Sequence, residues 1–264
     1  MERFLAVDRV AFSIGGTDIY WYGIIMCVSI LAAIGVSIMY CKVKKYDTEM
    51  PLNIALVVVP TGILSARLFS VLFEDGLSMA DFFKFRTGGM SIIGAVIGGA
   101  VGLIVYLLIK RPKDKLVYFD TLAVVLILSQ AIGRWGNYFN AEVYGQVVEA
   151  GSFFAKFPFA VKIDGVYYQA LFFYECVLNL VGFLILSLIY LCSEKKGIPT
   201  ATYLIYYGIV RTVLEQFRQE EYILRLGNIA ISRVFSIAMI AIGVVMFVCV
   251  LIQAHKKKVL NEKE

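Results

Sequence analysis

The segment Gly133-Arg-Trp-Gly-Asn-Tyr-Phe-Asn-Ala-Glu-Val-Tyr-Gly145 concentrates side chains that could bind an anion. Arg134, Asn137 and Asn140 are spaced three residues apart, so a helix would hold them on one side. A guanidinium binds phosphate through two hydrogen bonds, and amides bind hydroxyl groups as donors or acceptors. Glu142 adds a carboxylate next to them. This pattern favours a site for a ligand that carries both phosphate and hydroxyl groups.

A second set of charged residues follows later in the chain. Arg211, Glu215 and Arg218 are spaced by four and three residues, which places them on one face of a helix. These residues, with Arg67 and Arg233, lie within or beside apolar segments, where ionisable groups are costly and usually functional. Guanidinium groups facing a bilayer indicate an anionic lipid headgroup. Internal salt bridges such as Arg211–Glu215, and a proton or ion pathway, are the alternatives, although the acidic residues and histidines of a pathway are nearly absent from the spans.

The elements that must position these side chains are membrane-spanning helices. Of the 264 residues, 60% are hydrophobic and 17% are charged, against about a quarter charged in soluble domains. A transmembrane helix needs roughly 20 apolar residues, and the sequence contains about seven such segments. They are residues 19–41, 51–73, 91–109, 116–133, 171–192, 200–216 and 230–252. We therefore expect an all-α, polytopic membrane protein in which residues 1–264 form a single integral-membrane domain.

Basic residues cluster in the short segments after the first, third and fifth predicted spans and in the C-terminal tail. These clusters are Lys42, Lys44 and Lys45; Lys110, Arg111, Lys113 and Lys115; Lys195 and Lys196; and Lys256, Lys257, Lys258 and Lys263. Cytoplasmic loops are enriched in Lys and Arg, so the C-terminus is predicted in the cytoplasm and the N-terminus outside. The polar residues described above then lie at the external ends of helices. Because these loops account for the net charge of +5, the expected partner is the lipid bilayer and not nucleic acid.

Residues 134–170 form the longest predicted external segment, and their many aromatic side chains suggest a small folded cap. Within it, residues 161–168 resemble a β-hairpin with Asp164-Gly165 at a type I′ turn. A plain connecting loop is the alternative.

The five cysteines lie in or at the ends of apolar segments. They are Cys27, Cys41, Cys176, Cys192 and Cys249. Their spacing is irregular and lacks a CxxC pair, which favours small thiols without a disulfide or metal-binding role. We therefore expect no metal and no cofactor.

Residues 133–145 resemble the signature of the bacterial prolipoprotein diacylglyceryl transferases, which reads approximately G-R-x-G-N-F-x-N-x-E-x-x-G. Further matches to this family run along the chain. They are Trp21-Tyr22-Gly23, Arg67, Gly88-Gly-Met-Ser91, Tyr174-Glu175, Arg211, Glu215 and Phe217-Arg-Gln219. The order of these motifs and the seven predicted spans agree with the family.

The resemblance implies a two-substrate reaction at the bacterial cytoplasmic membrane. The diacylglyceryl group of phosphatidylglycerol would move to the lipobox cysteine thiol of a prolipoprotein signal peptide. A thioether would form and glycerol phosphate would leave, as the first step of lipoprotein maturation. By their position in the family's motifs, Arg134 and Arg211 would bind phosphatidylglycerol, and Arg67, Arg218 and Arg233 are further candidate binding residues. The catalytic residues would be Tyr22, Asn137, Asn140, Glu142, Gly145 and Glu215.

One position departs from the family pattern. Ile93 stands where the family has a histidine proposed to activate the thiol, and His255 lies among lysines of the predicted cytoplasmic tail. A free thiol, with a pKa of about 8.5, is partly thiolate at neutral pH, and nearby arginines would raise that fraction. Either Glu142, Glu215 or Tyr22 acts as the base, or the chain is a divergent paralogue with an altered acceptor or reaction. A membrane protein that binds or transports lipid without catalysis is a further alternative.

Overall fold

The computed structural model describes residues 8–73, 76–84, 88–223, 225–226 and 229–261. Within these ranges the chain forms seven long helices. They are α1 (Trp21–Lys44), α2 (Met50–Phe73), α3 (Ile92–Lys110), α4 (Lys115–Asn140), α5 (Leu171–Cys192), α6 (Ile198–Glu215) and α7 (Ile231–Asn261). Six of these are long and apolar enough to cross a membrane, and α6 is the exception. The prediction of an all-α, polytopic membrane protein is therefore confirmed, whereas length and composition do not establish a seventh span.

Helices α2 and α3 belong to one compact unit, Cys41–Tyr118. Glycines recur every fourth residue on α3, a spacing that predicts close approach of two helix backbones. A Cβ atom on Gly94 would lie 2.5 Å from Ser65 O, and one on Gly98 would lie 2.6 Å from Thr61 O. The two helices therefore pack in direct backbone contact, as the spacing predicts.

The second compact unit comprises Met1–Tyr40 and Phe119–Glu264, and it contains most of α1 and α4 together with α5 to α7. Helix α1 is preceded by a hairpin of β1 (Val10–Ile14) and β2 (Thr17–Tyr20). Its turn residues, Gly15 and Gly16, both have positive φ, which glycine adopts without steric cost. A second short pair, β6 (Arg225–Leu226) and β7 (Ile229–Ala230), precedes α7. Neither pair of strands was predicted from the sequence.

Helix α6 packs closely against α7. A Cβ atom on Gly208 would lie 2.7 Å from Ile240 Cγ1, and one on Gly243 would lie 2.9 Å from Ala201 O. The close packing on α7 covers one side of α6.

The N-terminus of α6 is fixed by Asp120, a buried residue of α4. Its Oδ2 accepts a hydrogen bond from Gly197 N (2.7 Å), and its Oδ1 accepts from Thr200 N (3.1 Å) and Thr200 Oγ1 (2.6 Å). A carboxylate here satisfies amide groups that the helix leaves unpaired and complements the positive end of its dipole. Asp120 thus couples α4 to the start of α6.

Between α4 and α5 the chain forms a three-stranded antiparallel sheet in the order β3–β5–β4. The strands are β3 (Val147–Val148), β4 (Ala160–Ile163) and β5 (Val166–Gln169). The β4–β5 turn is formed by Asp164 and Gly165, whose φ angles are 47° and 86°. Two central residues with positive φ are the requirement of a type I′ turn, so the predicted hairpin is confirmed.

The start of the cap segment differs from the sequence prediction. Helix α4 continues to Asn140, so residues 134–140 are helical and non-helical structure begins only after them. Beneath the sheet, Tyr144, Val161, Ala170 and Phe172 form a buried cluster. The segment from 141 to 170 therefore shares a small core with the start of α5.

Candidate active site

Glu175 is the central carboxylate of the candidate site. It lies in the first turns of α5 and is buried. Arg134 Nη2, near the end of α4, lies 2.5 Å from Glu175 Oε1, and Arg211 Nη1, on α6, lies 3.6 Å from Glu175 Oε2. The Arg134 guanidinium also hydrogen-bonds to the Tyr207 side chain. Three helices thus meet at one carboxylate shared by two arginines.

The second of these arginines is incompletely neutralised. The 3.6 Å separation from Glu175 is too long for a good hydrogen bond. Within the part of the chain that the structure describes, the buried Nη1 atom of Arg211 has no hydrogen-bond acceptor. A buried cationic donor without an acceptor is costly, and an anionic ligand would supply what it lacks.

Arg218 adds a third cation. Helix α6 ends at Glu215, and the backbone of Arg218 pairs with that of Gly145. Burial and the neighbouring charges of Arg211 and Arg134 together lower the pKa of the Arg218 guanidinium to about 10, while Glu175 opposes them. Arg218 is still a cation at neutral pH, so the group of three arginines carries more charge than Glu175 can balance.

The signature amides form a chain of hydrogen bonds beside this cluster. Arg134 Nη1 donates to Asn137 Oδ1 (3.4 Å), and Asn137 Nδ2 donates to Glu142 Oε1 (2.9 Å). Asn140 Nδ2 donates to the same carboxylate oxygen (3.2 Å). Ala141 adopts a positive φ of 55°, which reverses the chain after α4 and brings Glu142 back to the helix. The sequence-predicted grouping of these residues is therefore present in the structure.

Tyr22 lies against the same helix. A Cβ atom on Gly136 would lie 2.5 Å from the Tyr22 ring, so the glycine leaves the space that the ring occupies. Glu142 and Arg134 are both close enough to act electrostatically on the Tyr22 hydroxyl. Tyr22 therefore lies next to the signature residues.

Gly145 is enclosed by backbone contacts. Its N–H donates to Gln169 O (2.9 Å), and a Cβ atom here would lie 2.7 Å from Gln169 Cβ. The pairing with Arg218 holds its other side. Gly145 joins the cap sheet to the segment carrying Arg218.

Glu215 and Arg233 form a looser pair. Glu215 is buried at the end of α6, and its Oε1 lies 4.0 Å from Arg233 Nε. Neither carboxylate oxygen of Glu215 has a hydrogen-bond donor within the described residues. The Arg211–Glu215 bridge considered from the sequence is not the one formed, because Arg211 pairs with Glu175 instead.

Arg67 and Ile93 lie in the other compact unit. The Arg67 side chain is buried, and its guanidinium donates to the backbone carbonyls of Asp81, Phe82, Lys84, Gly88 and Gly89. These contacts hold residues 81–84 and 88–89 beside α2. Ile93 lies in the first turn of α3, whose N-cap Ser91 accepts a hydrogen bond from Gly94 N.

Three residues of the site were not among the predicted site residues. Glu175 appeared in the sequence only as part of the Tyr174-Glu175 match to the family, which gave it no role. The position of Tyr207 relative to the other polar residues of the sequence does not indicate that it belongs to the site. Arg9 precedes the first predicted span, and its position in the sequence does not indicate that it contacts α4. In the structure its Nη2 atom donates a hydrogen bond to Asn140 O (2.7 Å).

The fold and the site together define a multi-pass membrane protein with a cationic site where the C-terminal ends of α4 and α6 meet the N-terminal end of α5. Residues 9–249 match the family model for prolipoprotein diacylglyceryl transferase. The chain is 36% identical over 250 residues to a phosphatidylglycerol–prolipoprotein diacylglyceryl transferase of Clostridium novyi, covering 92% of this chain and 95% of the relative. Proteins of the same name from Clostridium kluyveri (33%, covering 92% and 96%) and, as transferase 1, Clostridium perfringens (34%, covering 96% and 98%) are also similar. The chain belongs to the prolipoprotein diacylglyceryl transferase family.

Proposed function

We propose that this protein transfers the diacylglyceryl group of phosphatidylglycerol to the lipobox cysteine of a prolipoprotein, the first step of lipoprotein maturation. The reaction forms a bond between the cysteine sulfur and a glyceryl carbon. It breaks the bond from that carbon to the phosphate oxygen and releases glycerol phosphate. The thiol proton passes to a base. No cofactor takes part in this scheme.

The observation that carries the proposal is the excess positive charge around Glu175. Arg134 is paired with a carboxylate, Arg211 is only partly neutralised, and Arg218 is a half-buried cation in the field of the other two. A phosphate diester supplies the missing negative charge and its oxygens can accept from guanidinium donors. When the carbon–oxygen bond breaks, the phosphate gains charge, which these arginines stabilise in place.

The same positive field serves the acceptor thiol. Thiolate is the nucleophilic form, and nearby cations raise its fraction at neutral pH. Tyr22, Glu142 and Glu215 are the proposed candidates for the base that takes the thiol proton. Ile93, at the position of the expected histidine, offers no such group.

The proposed location is the bacterial cytoplasmic membrane, with the N-terminus outside and the C-terminus in the cytoplasm. The basic clusters described above support this orientation. It places the Glu175 site at the external ends of α4 to α6, where the outer leaflet would supply phosphatidylglycerol. Lipobox-containing signal peptides are the proposed acceptors.

The test is a reconstituted reaction of the purified protein, phosphatidylglycerol and a synthetic lipobox peptide. We expect equal amounts of thioether peptide and glycerol phosphate from the wild-type chain. The variant Ile93→His is assayed in parallel. If it forms product and the wild type does not, the chain is a divergent member with a different reaction. If neither forms product, the proposed transfer is wrong.

A further inference from the structure

A cavity of about 370 Å³ lies next to the cationic site. It is bounded by β3, the turn around Ser152 and Phe154, the end of β5 and the adjoining ends of α5 and α6. Two of its wall residues are chain neighbours of the site, since Tyr174 precedes Glu175 and Phe217 precedes Arg218. A ligand in this cavity would therefore be close to the arginines.

One side of the cavity is the edge strand β3. Gln169 N donates to Gln146 O (2.9 Å), and the next register pair is Val147 with Tyr168. Bonded and non-bonded pairs alternate in an antiparallel ladder, so the N–H and C=O of Val147 point away from β5. No described strand pairs with that outer edge. The edge thus offers backbone hydrogen-bonding groups beside the cavity.

The cavity also contains a polar atom that needs a partner. Ser152 lines it, and Ser152 Oγ is buried without a hydrogen bond within the described residues. Buried polar groups in native proteins are usually paired. An acyl chain has no group that could pair with this hydroxyl or with the β3 edge, whereas a polypeptide backbone has both donors and acceptors.

The most exposed hydrophobic residues of the cavity wall are large apolar side chains. Val147, Phe154 and Phe217 all line the cavity, and their exposed fractions are 64%, 55% and 40%. Contiguous exposed apolar side chains mark surfaces that bind partners. The occupant best suited to these walls is an extended, uncharged peptide with apolar side chains.

We propose that the acceptor polypeptide binds here, an inference that rests on the proposed transfer reaction. A segment adjacent to the acceptor cysteine pairs with the free edge of β3 and places an apolar side chain in the cavity. Addition of a strand to an exposed edge is a common mode of peptide recognition, in which the backbone gives affinity and pockets give specificity. The cysteine next to this segment then lies toward Arg218 and Arg211.

Two substitutions test this proposal without altering the arginine cluster. Val147→Pro removes the N–H of residue 147, which points away from β5, and leaves the hydrogen bonds between β3 and β5. The control variant is Val147→Thr, which keeps that N–H. Val148→Phe fills the cavity, and Val166→Phe is its control because Val166 belongs to the same sheet and does not line the cavity. The probe is a fluorescent lipobox peptide with serine in place of the cysteine, titrated against the full-length protein in phosphatidylglycerol nanodiscs.

We expect Val147→Pro and Val148→Phe each to raise the peptide dissociation constant about five- to tenfold, as loss of one hydrogen bond or one apolar contact would. The controls remain within twofold of wild type. Unchanged peptide binding in both test variants overturns the proposal, and it does so whether or not the wild type shows transfer. A raised KM for phosphatidylglycerol with unchanged peptide binding also overturns it, because the cavity would then hold an acyl chain.

Discussion

The three guanidinium groups around Glu175 differ in how well they are neutralised. Arg134 has the short ion pair, Arg211 has a longer one, and Arg218 has no hydrogen-bonded carboxylate within the described residues. Arginine keeps its charge even when buried. The least neutralised groups, Arg211 and Arg218, are therefore those expected to gain most from a bound phosphate.

Replacement of Arg218 tests this difference. Arg218→Gln should raise the KM for phosphatidylglycerol by about tenfold or more, since hydrogen bonds to charged groups contribute roughly 1.5–3 kcal/mol. Arg225→Gln is the matched control, because Arg225 pairs with Glu220 on the surface, and its KM should match wild type. Equal effects of the two substitutions in a steady-state assay would contradict a headgroup role for Arg218.

The contact between Gly136 and Tyr22 gives a second prediction. Gly136→Ala places a methyl group in the space of the Tyr22 ring, so activity should fall as far as in Tyr22→Ala. Gly133→Ala, on the same helix, meets only Met26 Sδ at 3.8 Å and should retain wild-type activity. If Gly136→Ala is fully active, the position of Tyr22 does not matter for the reaction.

Helices and turns that depend on neighbouring residues were predictable from the sequence. Ion pairs between different helices were not. The helices follow from apolar segments, and the β4–β5 hairpin follows from Asp164-Gly165, because both depend on neighbouring residues. The pairing of Arg134 with Glu175 depends on how α4 and α5 pack together. The spacing of residues along the sequence does not predict that packing. For the same reason, the sequence suggested an Arg211–Glu215 bridge within α6, where the structure pairs Arg211 with Glu175 on α5.

Asp120 provides a prediction for the α4–α6 contact. Asp120→Ala removes the acceptor for Gly197 N and Thr200 N and should lower the free energy of unfolding by about 2 kcal/mol. Lys195→Ala, in the exposed loop before α6, should leave it unchanged. Denaturant titration followed by circular dichroism in detergent measures both. Equal stabilities of the two variants would show that the Asp120 contact is not needed to start α6.

The distribution of charge along the chain supports the orientation that we propose for it in the membrane. Basic clusters follow α1, α3 and α5 and occupy the end of α7, while the Glu175 site lies at the opposite ends of α4 to α6. In the orientation that we propose, the site would lie outside and the basic loops in the cytoplasm.

Cysteine labelling in whole bacteria tests this orientation. In a variant whose native cysteines are replaced by alanine, Lys156→Cys in the cap should react with a membrane-impermeant maleimide. Lys195→Cys, beyond the other end of α5, should react only after permeabilisation. The reverse pattern would place the site on the cytoplasmic side and exclude the outer leaflet as the lipid source.

The transfer itself is tested most directly by the mass of the product peptide. The purified wild-type protein is incubated with a lipobox peptide and phosphatidylglycerol whose acyl chains are deuterated. Mass spectrometry should then show a peptide carrying the complete deuterated diacylglyceryl group on its cysteine sulfur. A peptide that stays unmodified, or that carries a single acyl chain, would contradict the proposed reaction.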